Sequence, residues 1–261
     1  MERPRGRNSG VAAAAALLLA LAQNALTQNA PGQPAPTAAG AMSLVAAPVR
    51  LDIAATAKAE VLTLTNPGAQ RGDVQVRALA WSQRDGEDSY QPTDAIIVSP
   101  PRFSLAPGAS QTVRIYRRDP APAAELSYRI AVDQLPAAGA PVAGGVQLPI
   151  RLMIPLFVAG AQPASTDLRW QARRSGDGVQ LELANQGNRH VRISSLGLAP
   201  AQADTAQTPP VPRLIYLLPG TRRSLQLPRP DWLDQRVRAL RIHGDSDAGP
   251  IDARVDLLDA P

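Results

Sequence analysis

Few side chains in this sequence are suited to making or breaking covalent bonds. There are no cysteines, which excludes thiol nucleophiles, disulfide frameworks and cysteine-ligated zinc. The only histidines, His190 and His243, stand far apart beside basic residues, without metal-ligand spacing. They read as ordinary surface or strand histidines. A serine triad would need one of them near an acid and a serine on a Gly-x-Ser-x-Gly elbow, and no such stretch occurs. Gly144-Gly145 opens no phosphate-cradling helix and reads as a flexible loop. Asp245 and Asp247 supply too few oxygens for a calcium loop. The sequence therefore predicts no enzyme, no metal and no cofactor.

Binding is what remains, and one segment invites it. Gly145–Val158 (GVQLPIRLMIPLFV) alternates Val146, Leu148, Ile150 and Leu152, so a strand here lines four aliphatics along one face. Pro149 and Pro155 cannot donate to a ladder, which predicts an open edge on at least one side. Such an edge invites pairing with another chain unless something covers it. Two readings stand side by side: a core strand covered by an opposing sheet, or a strand offered to another polypeptide by β-augmentation.

The rest of the chain reads as the scaffold for that strand. Of 261 residues, 44% are hydrophobic and only 3% aromatic, with 26 Pro and 19 Gly. That composition suits many short strands and turns. Ala59–Thr65 ends at Asn66-Pro67-Gly68, a turn signal, and Asp73–Trp81 alternates Val74, Val76, Ala78 and Ala80. Strands are also expected at 95–98, 111–116, 127–132 and 146–158, the density of an immunoglobulin-like sandwich. A second series follows at 168–173, 179–184, 191–198, 214–218, 222–227, 237–242 and 253–258. The expected fold is all-β, two immunoglobulin-like β-sandwich domains over 42–158 and 166–261, joined by a hinge at 159–165.

The N-terminus reads differently. Arg3, Arg5 and Arg7 precede an apolar stretch, Val11 to Ala22, and small residues, the layout of a secretory signal peptide over 1–25. Residues 26–41 are rich in Pro, Ala, Gly and Gln and read as a disordered linker. Losing three Arg and one Glu with the leader lowers the formal charge from +5 to +3. The remaining arginines are scattered among acids, so no nucleic-acid partner is expected. The mature protein is expected to be exported, without stable membrane insertion after cleavage.

A family resemblance rests on particular runs. Ser99–Ile115 (SPPRFSLAPGASQTVRI), Glu125–Ile130 (ELSYRI) and Asp133–Pro136 (DQLP) resemble the first domain of periplasmic pilus chaperones, the PapD-like chaperones of chaperone–usher secretion. Pro48-Val49-Arg50 and Leu64–Gly68 fit the family's first strands, and the likeness covers 42–158. It extends weakly into Leu218–Arg223 (LPGTRR). Tyr128-Arg129 and Ile154–Phe157 (IPLF) look most like the archaic branch, associated with spore-coat-U-type pilins.

The resemblance implies a boomerang of two domains that binds, folds and caps pilus subunits by donor-strand complementation. It also implies delivery to an outer-membrane usher, in the periplasm. Val146, Leu148, Ile150 and Leu152 match the donor strand, and their burial in a subunit is worth roughly 6–12 kcal/mol gross. In the better-known branch a subunit's C-terminal carboxylate is held by an arginine on the first strand, matched here by Arg50. The second anchor there is a lysine on the donor strand, where this chain has Pro155; its only lysine is Lys58. Arg129 and Arg151 are the substitute candidates, and Arg114 matches a family arginine with a structural role at the domain interface.

The competing expectation is an exported two-domain structural or adhesion protein of the cell surface. A pilus subunit would begin with an alternating apolar extension, whereas 26–41 is unpatterned. A lectin would need more stacking aromatics than Trp81, Trp170 and Trp232 provide.

Overall fold

The computed structural model describes residues 42–136, 149–176, 178–202 and 209–259. All regular structure there is β, in two sandwiches, each with its own core. In the first, one sheet runs β1 (Val45–Ala47), β3 (Ala59–Thr65), β8 (Ser110–Arg117) and β6 (Ile96–Ser99). The facing sheet runs β2 (Leu51–Ile53), β10 (Arg151–Val158), β9 (Leu126–Leu135), β4 (Gly72–Arg84) and β5 (Glu87–Pro92), with β7 (Arg102–Leu105) also paired to β4. The chain passes from one sheet to the other between β1 and β2, across a cis Ala47–Pro48 bond.

Alternation explains why these strands face as they do. Val74 and Val76 of β4 point into the core with Leu62 and Leu64 of β3, Val113 and Ile115 of β8, and Ile130 and Val132 of β9. Ile154, Leu156 and Val158 of β10 join them, and Leu152 packs against the same cluster. The opposite faces of β4 and β10 carry Trp81 and Phe157, which form a separate buried cluster with Leu218 of the second sandwich. Sequence periodicity did not anticipate β5, whose six residues are all exposed, or the short β1, β2 and β7. β5 has no apolar face to read, and β1, β2 and β7, at three or four residues, are too short for alternation to register.

The second sandwich is built from β11 (Leu168–Ser175), β12 (Gly178–Asn185), β13 (Val191–Pro200), β14 (Val211–Leu217), β15 (Arg222–Pro228), β16 (Ala239–Ser246) and β17 (Gly249–Leu258). Their order is β14-β13-β16-β17-β11-β12-β15, where β17 meets β11 by a two-residue parallel contact. Leu181 and Leu183, Val191 and Ile193, and Leu240 and Ile242 form its centre, all with no exposed surface.

Both sandwiches close one end with the same device. Asn66 exchanges backbone bonds with the Pro107–Ala109 turn, and Asn185 does so with the Pro219–Thr221 turn. Each asparagine side chain also accepts from a glycine amide two residues on, Gly68 or Gly187, at 3.0 Å. Gly108 and Gly220 sit at φ 71° and 70°, where a side chain would be strained.

Candidate functional site

The apolar strand of the sequence analysis enters the fold as β10. It pairs antiparallel with β9 along its whole length, Arg151↔Asp133 to Val158↔Leu126. On its other side β2 pairs in parallel with Leu156–Val158. The edge of Arg151–Pro155 on that side has no strand partner among the described residues. Pro155 sits in this open stretch, where its missing N–H costs no ladder bond. Ahead of the strand, Ile150 is 40% exposed, while Leu152 is half-buried against the core. The row of Leu152, Ile154, Leu156 and Val158 thus emerges from the core toward an exposed end. Val146 and Leu148 lie outside the described residues.

The other face of β10 meets the second sandwich. Phe157 stacks on His190 with centroids 3.4 Å apart, and Trp81 lies edge-on to Tyr216 of β14 at 5.4 Å. Gln83 of β4 clamps the same region. Its amide donates to the Tyr216 carbonyl at 2.9 Å, and its carbonyl accepts from the Leu218 amide and Thr221 hydroxyl, both at 3.0 Å. A cleft of about 370 Å³ opens beside this junction, lined by Arg50, Glu125, Phe157 and Arg189 among others. Among the described residues no acid, histidine or cysteine cluster could hold a metal ion.

The candidate arginines have different surroundings. Arg50, just ahead of β2, is engaged by Asp52 at 2.8 Å and by Asp247 of the second sandwich at 3.2 Å. Arg151 is bound to Asp133, which also holds Arg77 at 2.6 Å. Burial pushes the Asp133 carboxyl up, but bonds from Arg151 and Arg77 outweigh it and hold it below the ordinary carboxylate value. Arg129 of β9 lies opposite Pro155, its guanidinium 3.8 Å over the Trp81 ring and 5.3 Å from Tyr216. It donates to the Met153 carbonyl at 3.2 Å, and its Nε is buried without a hydrogen-bond partner. It has no carboxylate partner among the described residues.

Arg114 is exposed on β8, opposite Val61 and Ser99. The buried arginine of that strand is Arg117, which donates to the carbonyls of Ala55, Ala57 and Asp119 and ties down the β2–β3 connection. The histidines depart from a surface reading, since both are buried. His190 forms part of the junction, and His243 lies on β16 beside Gly197, on the face opposite Leu240 and Ile242. Sequence reading missed Gln83, His190 and Asp247. Each earns its place through contacts 65 to 197 residues away, which leave no local pattern.

Comparison with known proteins agrees with this architecture. The family described as pili and flagellar-assembly chaperone, PapD N-terminal domain, matches residues 43–167. No curated protein sequence matches the chain. Among solved structures, the chaperone–tip adhesion subunit pre-assembly complex from archaic chaperone–usher Csu pili of Acinetobacter baumannii is similar at 23% identity and TM-score 0.61, covering 84% of this chain and 100% of that one. The Escherichia coli chaperone DraB is similar at 22% and 0.56, covering 82% and 95%. The Salmonella enterica SafA pilin–SafB chaperone complex gives 18% and 0.55, covering 84% and 97%. The family match covers the first sandwich, residues 43–167, and both sandwiches are similar in fold to solved pilus chaperones.

Proposed function

We propose that this chaperone captures pilus subunits by lending them β10 and the residues ahead of it. The observation that carries the reading is the strand edge of Arg151–Pro155, open on the β2 side, with Leu152 and Ile150 rising from the core toward solvent. Val146 and Leu148 share the numbering parity of that row, so a strand extended backward from β10 presents all four aliphatics on one face. An incomplete subunit sandwich would accept the backbone edge by hydrogen bonding and the aliphatics by burial.

Of the three candidate arginines, Arg129 is the one best placed to hold a subunit's terminal carboxylate. Arg50 and Arg151 already have acidic partners, whereas Arg129 faces aromatic rings and one carbonyl. A half-buried cation held over π faces and by neutral oxygens, with no carboxylate partner among the described residues, gains from an incoming anion, which its fork meets bidentately. The proposal includes export to the periplasm by the 1–25 leader, linkers at 26–41 and 159–165, delivery to an outer-membrane usher, and membership of the archaic branch.

The test is periplasmic co-expression with the pilin encoded nearby, followed by size-exclusion with mass determination. A one-to-one complex is expected, with the pilin degraded or aggregated when the chaperone is absent. Arg129→Ala should weaken capture by about 10- to 100-fold, as expected for one charge-assisted contact. A subunit trimmed of its terminal residues should show no further loss from that substitution. A pilin that stays soluble alone and never co-elutes would defeat the capture reading. Equal losses for intact and trimmed subunits would remove Arg129 from the anchor.

A further inference from the structure

Apart from the Gln83 clamp, the charged contacts between the sandwiches converge on one imidazole. His190 precedes β13 in the second sandwich, and its side chain has no exposed surface. Its Nδ1 lies 2.8 Å from an oxygen of Glu125, which precedes β9 in the first sandwich. Its Nε2 lies 3.5 Å from Asp247, in the turn between β16 and β17. Asp247 accepts in turn from the Arg192 amide at 2.7 Å and from Arg50 of the first sandwich at 3.2 Å. The series Glu125, His190, Asp247, Arg50 therefore crosses the junction twice.

Both ring nitrogens face carboxylate oxygens, and that decides which protonation state fits. A neutral imidazole carries one N–H and one lone pair, so either tautomer turns a lone pair toward a carboxylate. The imidazolium turns an N–H to both sides: Nδ1 donates to Glu125 at 2.8 Å, and Nε2, which makes no hydrogen bond, stands 3.5 Å from Asp247 as an ion pair. It also places a cation between Glu125 and Asp247, where Arg50 alone, shared between Asp247 and Asp52, leaves an excess of negative charge. We propose that His190 is a pH-responsive latch between the two sandwiches, clamping Glu125 to Asp247 while protonated and releasing the junction when it loses that proton.

The remaining groups around the ring are consistent with this. Phe157 covers one face, Tyr216 stands 6.1 Å away, and Arg192 gives Asp247 its backbone amide while its guanidinium acts on Tyr216. Burial pulls the His190 pKa down, but Asp247 and Glu125 outweigh it and hold it above the ordinary histidine value of 6.5. A raised folded-state value means the stabilisation is complete below the unfolded-state value and is lost as pH rises through the folded one. The other histidine runs the opposite way. Burial and Arg241 lower the His243 pKa, so its contribution is lost as pH falls, and it sits on a strand of one sandwich alone. The adjoining cleft reaches Glu125 and Phe157, which opens that side of the latch to solvent.

The latch needs no subunit, so it can be tested apart from capture. The chain has no cysteine, so Arg102→Cys on β7 and Arg254→Cys on β17 admit one spin label on each sandwich. Dipolar distance distributions should be narrow at about pH 5.5 and broaden by about pH 8.5, the range over which histidine changes charge. In His190→Gln and Glu125→Gln the distribution should no longer respond to pH. Because either variant could fold poorly, the His190 ring should also be titrated by NMR in the unsubstituted protein. An inflection above the ordinary value, with linked shifts in both sandwiches, is expected. A distribution unchanged by pH, the same pH response in both variants, or an inflection below the ordinary value would overturn the latch.

Discussion

Asn66 shows how much of the fold can depend on one buried amide. It has no exposed surface, yet every polar atom of its side chain is satisfied. Nδ2 donates to the carbonyls of Gln70 at 2.7 Å, Leu105 at 3.2 Å and Ala106 at 3.3 Å, while Oδ1 accepts from the amides of Ser43 and Gly68. Removing the side chain would leave several backbone groups buried and unpaired, each costing about 1–3 kcal/mol. Asn66→Ala should therefore destabilise the first sandwich by about 2–4 kcal/mol, read as a lower urea midpoint at unchanged slope. Asn66→Asp is a sharper probe, because it keeps the shape and the acceptor but turns a carboxylate oxygen toward three carbonyls. It should cost at least as much as the alanine. Asn185 bonds its own loop in the same way, donating to the Arg189 and Leu217 carbonyls at 2.7 and 3.2 Å.

At the scale of elements, β10 divides into a part that builds the sandwich and a part that leaves it. Leu156 has no exposed surface and sits between β9 and β2, whereas Ile150 is 40% exposed ahead of the strand. The same substitution should therefore do different things at the two positions. Leu156→Asp buries an unpaired charge and should prevent the first sandwich from folding. Ile150→Asp should leave the free protein within about 0.5 kcal/mol of its normal stability, as surface changes usually do, while abolishing subunit capture. Thermal unfolding of the free variants beside a pull-down reads both outcomes, and normal capture by Ile150→Asp would exclude that residue from the donor row. This strand was legible in the sequence because its alternation is local. So were β3, β4 and the second-sandwich strands, whose aliphatics recur every second residue. The Asn66-Pro67-Gly68 turn was legible too, though only the fold shows that Asn185–Gly187 closes the equivalent end of the second sandwich. The junction was not legible. Trp81, Gln83, Phe157, His190 and Tyr216 become neighbours only when two separate sandwiches dock, and chain spacing carries no trace of that.

Across the whole molecule, the junction joins two cores that are each complete in themselves, so its strength depends on a few side chains. Apolar contact comes from Trp81, Phe157, Leu218 and Tyr216, and polar contact from Gln83 and the acid–base series around His190. Asp247 is the acidic limit of that series. Burial pushes its carboxyl up, but His190, the Arg192 amide and Arg50 outweigh this and hold its pKa at about 2, against an ordinary 3.8. A depressed carboxylate contributes stability that is present above the unfolded-state value and lost as pH falls through the folded one. That contribution is on the order of 2 kcal/mol, shared with His190 because both shifts describe one interaction. Asp247→Asn should therefore lower stability near neutrality by an amount of that order and flatten its decline in acid. The urea midpoint of the unsubstituted protein should fall more steeply than the variant's between about pH 4 and about pH 2, the interval spanned by the two values. Parallel acid profiles would mean that Asp247 carries no such burden in solution and that aromatic packing and Gln83 hold the sandwiches together on their own.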